Sequence, residues 1–216
     1  MRKAIQKNAN VLAIFAIVCT AVVGIVHSLT KDEIELQKQQ QLLKTLSQVI
    51  DPATYNNEII NDCIMFSQTG SDKAAKSKNQ TPHAAYIATY NDSPVAMAIT
   101  ATAPDGYNGN IDIIVGIKTS GVVSGVRVLD HNETPGLGDK IELKRNSWIT
   151  TFTDKKINGN PDPRWKVAKD GGMFDQFTGA TITPRAVVKA VHNTVAYFNE
   201  NKETLFAQPR NCGDIE

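Results

Sequence analysis

The sequence predicts an α+β chain: a single N-terminal transmembrane helix followed by a domain with a mainly antiparallel sheet and packed helices. Three observations carry that reading. Residues 8–30 contain no Asp, Glu, Lys or Arg. Strand-like runs at 86–90, 95–103, 111–117 and 122–129 come in adjacent pairs separated by turn residues. After Pro184, Val187, Val191, Val195 and Phe198 recur at helical spacing.

Taken in order, residues 1–7 are a basic N-terminus with Arg2, Lys3 and Lys7. The uncharged run 8–30 is long enough as a helix to cross a hydrocarbon core of roughly 30 Å at about 1.5 Å per residue. The positive-inside rule puts the N-terminus in the cytoplasm and residues 31–216 on the far side. A cleavable signal peptide, cut near Val26-His27-Ser28, is the rival; the apolar run exceeds a usual signal h-region. Residues 31–52 form a juxtamembrane helix that can run on directly from the span. Its stripe Ile34, Leu42, Leu43, Leu46 and Ile50 packs on the domain, and Asp51-Pro52 ends it. The domain occupies 53–216. Residues 67–82 are small and polar and read as a loop or as disordered.

Asn91-Asp92-Ser93-Pro94 joins the first strand pair in a hairpin, and Ser120-Gly121 joins the second, which favours an antiparallel sheet. A glycine-containing loop, HNETPGLGDKIE (131–142), enters a helix-like LKRNSWITTF. A turn-rich stretch follows in which WKVAK is a candidate strand, and the last helix runs from about Pro184 to Asn199.

The formal charge of +1 gives no reason to expect a nucleic-acid partner. Of three cysteines, Cys19 lies in the span. Cys63 and Cys212 fall in the exported part, where their even count favours a disulfide over two free thiols. His27, His83, His131 and His192 show no metal-ligand spacing, and iron–sulfur ligation would need more cysteines. PGLGDK lacks the last glycine of a dinucleotide fingerprint, because Ile141 stands there. Gly121 and Gly125 are spaced as GxxxG but lie outside the membrane run.

The chemistry concentrates in FDQFTGATITPRAVV (174–188). Pro184 suits the first turn of a helix and Thr183 its N-cap, with Thr181 two residues earlier. Gly179 permits close approach or positive φ. Free N–H groups and the positive end of the helix dipole attract phosphate at such a place, and a threonine hydroxyl there can be esterified to it. Taken alone, the stretch is more simply a plain small-residue turn before a helix.

Asp175-Gln176-Phe177-Thr178-Gly179-Ala180-Thr181 resembles the acceptor motif of flavin transferases. With HNETPGLGDKIE and APDGYNG (103–109), it makes nearly the whole chain similar to the G subunits of Rnf ion-translocating electron-transport complexes. Thr178 stands where many relatives have serine. The C subunit of the sodium-translocating NADH:quinone reductase is a related carrier that the acceptor motif does not separate.

The resemblance implies an FMN-binding domain with FMN attached through its phosphate to Thr181. Asp175, Thr178, Gly179, Ala180 and Thr183 would shape the acceptor turn, and Glu133, Thr134, Pro135, Gly136, Leu137 and Gly138 would form a second contact. Leu137 would cover the ring and Thr134 bond it. Lys140 or Arg185 could favour an anionic reduced flavin, although basic residues there are more simply solvated, and Trp148 and Trp165 are more simply core. It further implies an electron-transfer subunit, itself without pore or NAD site, in a redox-driven ion translocase of the bacterial inner membrane. Its partners would be the other subunits (especially the flavinylated D subunit), a periplasmic flavin transferase and membrane lipid, with no nucleic acid. A free-standing periplasmic flavin reductase and a non-redox adaptor are the rivals; the former needs a proton donor beside the ring that the sequence does not offer.

Overall fold

The computed structural model describes residues 2–66, 83–159 and 161–212. The expected loop at 67–82 lies outside them. The fold is α+β, as the sequence predicts, and divides into two compact units, Met1–Leu43 and Lys44–Glu216.

The first unit is helical, being most of α1 (Arg2–Val49). Within α1, Gln6–Lys31 is long and apolar enough to cross a membrane, and every side chain along it is exposed. The helix continues without a break from the apolar run into the polar stretch and stops just before Asp51-Pro52. Asp51 accepts a hydrogen bond from the Ala53 N–H, turning the chain. The buried stripe is shorter than the sequence predicts. Leu46 and Ile50 are buried, joined by Thr45 and Val49, but Ile34 and Leu43 are exposed.

In the second unit five strands, β1 (Cys63–Phe66), β2 (His83–Tyr90), β3 (Ser93–Gly106), β4 (Gly109–Lys118) and β5 (Val123–His131), form an antiparallel meander in chain order. Asn91 and Asp92, both at positive φ, make the β2–β3 turn, as Asn and Asp tolerate best. Alternation along β4 sends Ile111, Ile113, Val115 and Ile117 into one core. That face is covered by α2 (Ile182–Ala207), which packs on β3 and β4. Val187, Val191, Val195 and Phe198 line its buried side, but the helix runs eight residues past the expected end at Asn199.

The opposite face receives the end of α1. Gly116 of β4 pairs with Gly125 of β5, and a Cβ on either would strike the backbone of Val49. The Ser124 hydroxyl donates to the Val49 carbonyl at 2.5 Å. Gly125 thus marks a place where a sheet admits a helix backbone. Edge strand β1 is joined to the C-terminal tail by the Cys63–Cys212 disulfide, Cα to Cα 5.6 Å, and by Asn211, whose side chain accepts from the Met65 N–H at 2.6 Å.

Two expectations are corrected. WKVAK is not a strand: Val167 makes one isolated bridge to Phe174, and Ala168–Asp170 is a 3-10 turn. LKRNSWITTF is helical only over Ser147–Phe152, again 3-10, begun by the Asn146 side chain accepting from the Trp148 N–H. Both segments bury Trp148, Phe152, Trp165 and Phe174 as one aromatic cluster, and packing those rings overrides regular backbone.

Candidate functional site

The acceptor stretch is a tight turn feeding α2. The Ala180 N–H donates to the Phe177 carbonyl at 3.1 Å, and Gly179 takes φ +82°, as the third residue of such a turn requires. Phe177 is buried under the turn, edge-on to Trp148, and the Trp148 indole N–H donates to the Asp175 carbonyl at 2.8 Å. Trp148 therefore supports the turn from inside the core, as its packing role predicts. Trp165, 4% exposed, lies in the same cluster.

The N-cap is Thr181, not Thr183. Helix α2 begins at Ile182, and the Thr181 hydroxyl makes no capping hydrogen bond. Thr183 is drawn inward, 1% exposed, where its hydroxyl donates to the Glu133 carboxylate. A buried carboxylate acceptor holds that hydroxyl more strongly than a cap would, so the helix starts two residues early. Pro184 still falls in the first turn, where its missing N–H costs no helical bond.

The second wall is the loop 133–138. Glu133 is buried; Thr134, Pro135, Gly136 and Leu137 are exposed. The Leu137 and Gly138 N–H groups donate to the Thr134 carbonyl at 3.1 and 3.0 Å, and Gly136 takes φ +78°. This curl points the Leu137 side chain at the acceptor turn: a Cβ built on Gly179 would lie 3.7 Å from Leu137 Cδ2. Leu137 and Ile182 stay 42% and 46% exposed, leaving apolar surface on either side of Thr181. The base of the loop is tied down by the Glu133 N–H donating to His131 Nδ1 at 3.0 Å, and by His131 Nε2 meeting Glu142 at 2.7 Å. Burial pushes the Glu142 carboxyl up, but hydrogen bonds and charge from Lys144 and His131 outweigh it and hold it below its ordinary value.

The structure thus brings together Thr181, Gly179, Thr183, Glu133, Leu137 and Gly138. Thr178 lies exposed on the turn and Asp175 exposed just before it, Ala180 is half-buried, and Lys140 is half-buried in the 3-10 turn Gly138–Ile141. Arg185 is engaged elsewhere, forked onto Asp170 at 2.6 and 2.8 Å, so it is not a free cation for a reduced ring. Sequence reading missed Asn108, whose N–H donates to Glu133 at 3.1 Å, and Gly106, whose missing side chain leaves room for the same carboxylate. No local signal marks a turn amide as the partner of a carboxylate twenty-five residues on.

The arrangement fits a phosphate carrying an aromatic group. A hydroxyl without a cap bond stands at the N-terminus of a 26-residue helix, where the first N–H groups lack helical partners, with exposed apolar side chains alongside. Among the described residues no group of His, Cys, Asp and Glu is arranged to hold a metal ion.

Comparison with known proteins gives two family matches: the FMN-binding domain over residues 106–196 and the RnfG N-terminal region over residues 1–49. Proteins known as ion-translocating oxidoreductase complex G subunits align along almost the full chain. The one from Vibrio vulnificus (strain YJ016) is 54% identical over 99% of this chain and 98% of its own. That of Vibrio atlanticus (strain LGP32) is 52% identical over 99% of each. That of Shewanella loihica (strain ATCC BAA-1088 / PV-4) is 49% identical over 98% of each.

Proposed function

The chain belongs to the family of G subunits of ion-translocating oxidoreductase complexes, and from that premise we propose that it is the complex's membrane-anchored electron carrier, with FMN held through a phosphoester on the Thr181 hydroxyl. The observation that carries this reading is the Thr181 side chain, which makes no cap bond at a helix N-terminus within the FMN-binding match. Ester formation requires a flavin donor whose phosphate is activated as an anhydride, with a flavin transferase as catalyst. The Thr181 Oγ–P bond forms as the anhydride P–O bond breaks, the hydroxyl proton passes to solvent and the other phosphate-bearing half of the donor departs, with no change in oxidation state.

The residues divide the work. The first N–H groups of α2 and the helix dipole would hold the phosphate. Gly179 supplies the positive φ that the turn beside Leu137 needs. Leu137 and Ile182 offer apolar surface to the ring, and Thr134 a polar edge. FMN when bound supplies the electron-transfer chemistry, and the protein supplies position and electrostatics. The covalent tether keeps a carrier at its post where no cytosolic flavin pool can replace it.

The same reading assigns residues 8–30 to the membrane, 1–7 to the cytoplasm, and 31–52 and 53–216 to the periplasmic side of a bacterial inner membrane. The other subunits, the D subunit foremost, exchange electrons with it, and oxidoreductase activity belongs to the assembled complex. With the transferase present, native protein run on a denaturing gel should fluoresce at its own mass, and tryptic peptide 170–185 should carry FMN. Thr181→Ala should abolish both signals. Flavin attached elsewhere in that variant would overturn the acceptor assignment, and an unmodified peptide throughout would overturn the covalent carrier.

A further inference from the structure

We propose that Glu133 is a positioning residue that sets the distance between the two walls of the site, an inference that rests on the flavin-carrier reading above. Family resemblance alone places its side chain among the contacts to the cofactor. Its burial argues otherwise: Glu133 is 5% exposed, behind the loop whose next four residues are all exposed.

Two segments distant in sequence converge on this one carboxylate. Oε1 accepts from the Asn108 N–H at the tip of the β3–β4 hairpin, at 3.1 Å. Oε2 accepts from the Thr183 hydroxyl in the first turn of α2. Two glycines enclose it. A Cβ on Gly106 would stand 2.9 Å from Oε1, and one on Gly138 would stand 2.7 Å from Oε2. Strand pairing of Ile111 with His131, the Asn108 side chain donating to the Asn132 carbonyl at 2.7 Å and Lys189 on Asp105 at 2.7 Å also hold the hairpin. The carboxylate adds a buried bond to the hairpin tip and another to the first turn of α2. Thr183 is two residues beyond the acceptor hydroxyl of Thr181, and Gly138, packed against the carboxylate, directly follows Leu137, so the Glu133 side chain touches both ends of the Leu137–Gly179 approach.

A buried carboxylate at the positive end of α2 is also favourably placed against the helix dipole. Its hydrogen bonds to Thr183 and the Asn108 N–H satisfy the acceptor capacity that burial would otherwise leave costly. Geometry of this kind matters to a group-transfer reaction because small displacements of a reacting hydroxyl have large effects on rate.

The test uses the full chain in detergent with Glu133→Ala, Glu133→Gln and Thr183→Val. Glutamine keeps an acceptor for the Asn108 N–H and a polar partner for Thr183, but carries no charge. Without flavin, hydrogen exchange should quicken in Glu133→Ala over residues 134–138 and 178–183 together, while the core strands stay protected. Unchanged exchange in both segments would overturn the proposal whatever becomes of the flavin. With transferase and flavin donor, Glu133→Ala should be labelled at Thr181 about tenfold or more slowly, Glu133→Gln should recover the rate, and Glu133→Ala combined with Thr183→Val should be no worse than Glu133→Ala alone. Labelling of Glu133→Ala at the full rate, or a glutamine variant as slow as the alanine one, would also overturn it. Wild-type protein that is never labelled defeats the carrier reading instead, and the exchange experiment still decides the role of Glu133.

Discussion

Single side chains decide the local backbone wherever the sequence pattern is silent. Asp162 illustrates this outside the site. It is 4% exposed, and its carboxylate accepts from the Asn158 N–H at 2.9 Å and from the Arg164 guanidinium at 3.0 and 2.7 Å. Its carbonyl holds the Trp165 N–H at 3.1 Å, so Asp162 orders the loop that delivers Trp165 to the aromatic cluster under the acceptor turn. Hydrogen bonds from Arg164 and then from Asn158 hold the Asp162 carboxyl far below its ordinary value. A depressed carboxylate stabilises the fold above the unfolded-chain pKa of about 4, and that contribution is lost as pH falls below it. Asp162→Asn should therefore lower the denaturation midpoint at neutral pH and flatten the acid limb of the stability profile below about pH 4. Denaturant titrations across that range check it, and a variant whose acid limb still runs parallel to the wild type would refute the assignment. The same logic explains what sequence reading missed at the site. The typical N-cap residue Thr183 is in place, but a buried carboxylate claims its hydroxyl, and only the fold brings Glu133 to it.

At the scale of elements, legibility follows the strength of periodicity. Strands β2 to β5 and helix α2 carry long alternating or helical patterns, and each exists where those patterns predict it, although β3 and α2 extend beyond the expected bounds. Strand β1 has four residues, too few to show alternation, and its partner β2 begins seventeen residues later. The 3-10 segments around Trp148 and Trp165 follow ring packing, which has no period. Gly116 and Gly125 show why a glycine in a strand needs its partner before it can be interpreted. They are register partners, and together they open a trough in which the last turn of α1 lies against the sheet. Val49 Cα would be 2.9 Å from a Cβ at position 125, a clash with backbone that no rotamer relieves. Gly125→Ala should therefore destabilise the domain by about 1–3 kcal/mol, the usual cost of overpacking a fitted contact. It should also free the Arg127–Gln48 hydrogen bond, which spans 2.9 Å. Chemical denaturation measures the first effect, and exchange at residues 44–50 the second. A variant as stable as wild type would show that α1 ends there without needing the trough.

For the whole molecule, two unrelated features bear on which side of the membrane the domain occupies. One is charge: Arg2, Lys3 and Lys7 precede the apolar run, the arrangement that keeps an N-terminus in the cytoplasm. The other is covalent: Cys63 and Cys212 are disulfide-bonded across 149 residues, whereas Cys19, inside the apolar run, is free. Such bonds persist in oxidising compartments and are rare in the cytosol, where thiols stay reduced. Closing so long a loop restricts the unfolded chain, and the bond ties edge strand β1 to the tail after α2, so reduction should cost about 2–5 kcal/mol of stability. Topology and bond thus stand or fall in one measurement. Protein taken from its native membrane, denatured and alkylated without reductant, should be modified at Cys19 alone. Cys63 and Cys212 should accept the reagent only after reduction, and prior reduction should lower the denaturation midpoint. Alkylation of both without reductant would mean that the domain had not been held in an oxidising compartment, and a flavin carrier facing the periplasm would lose its physical basis.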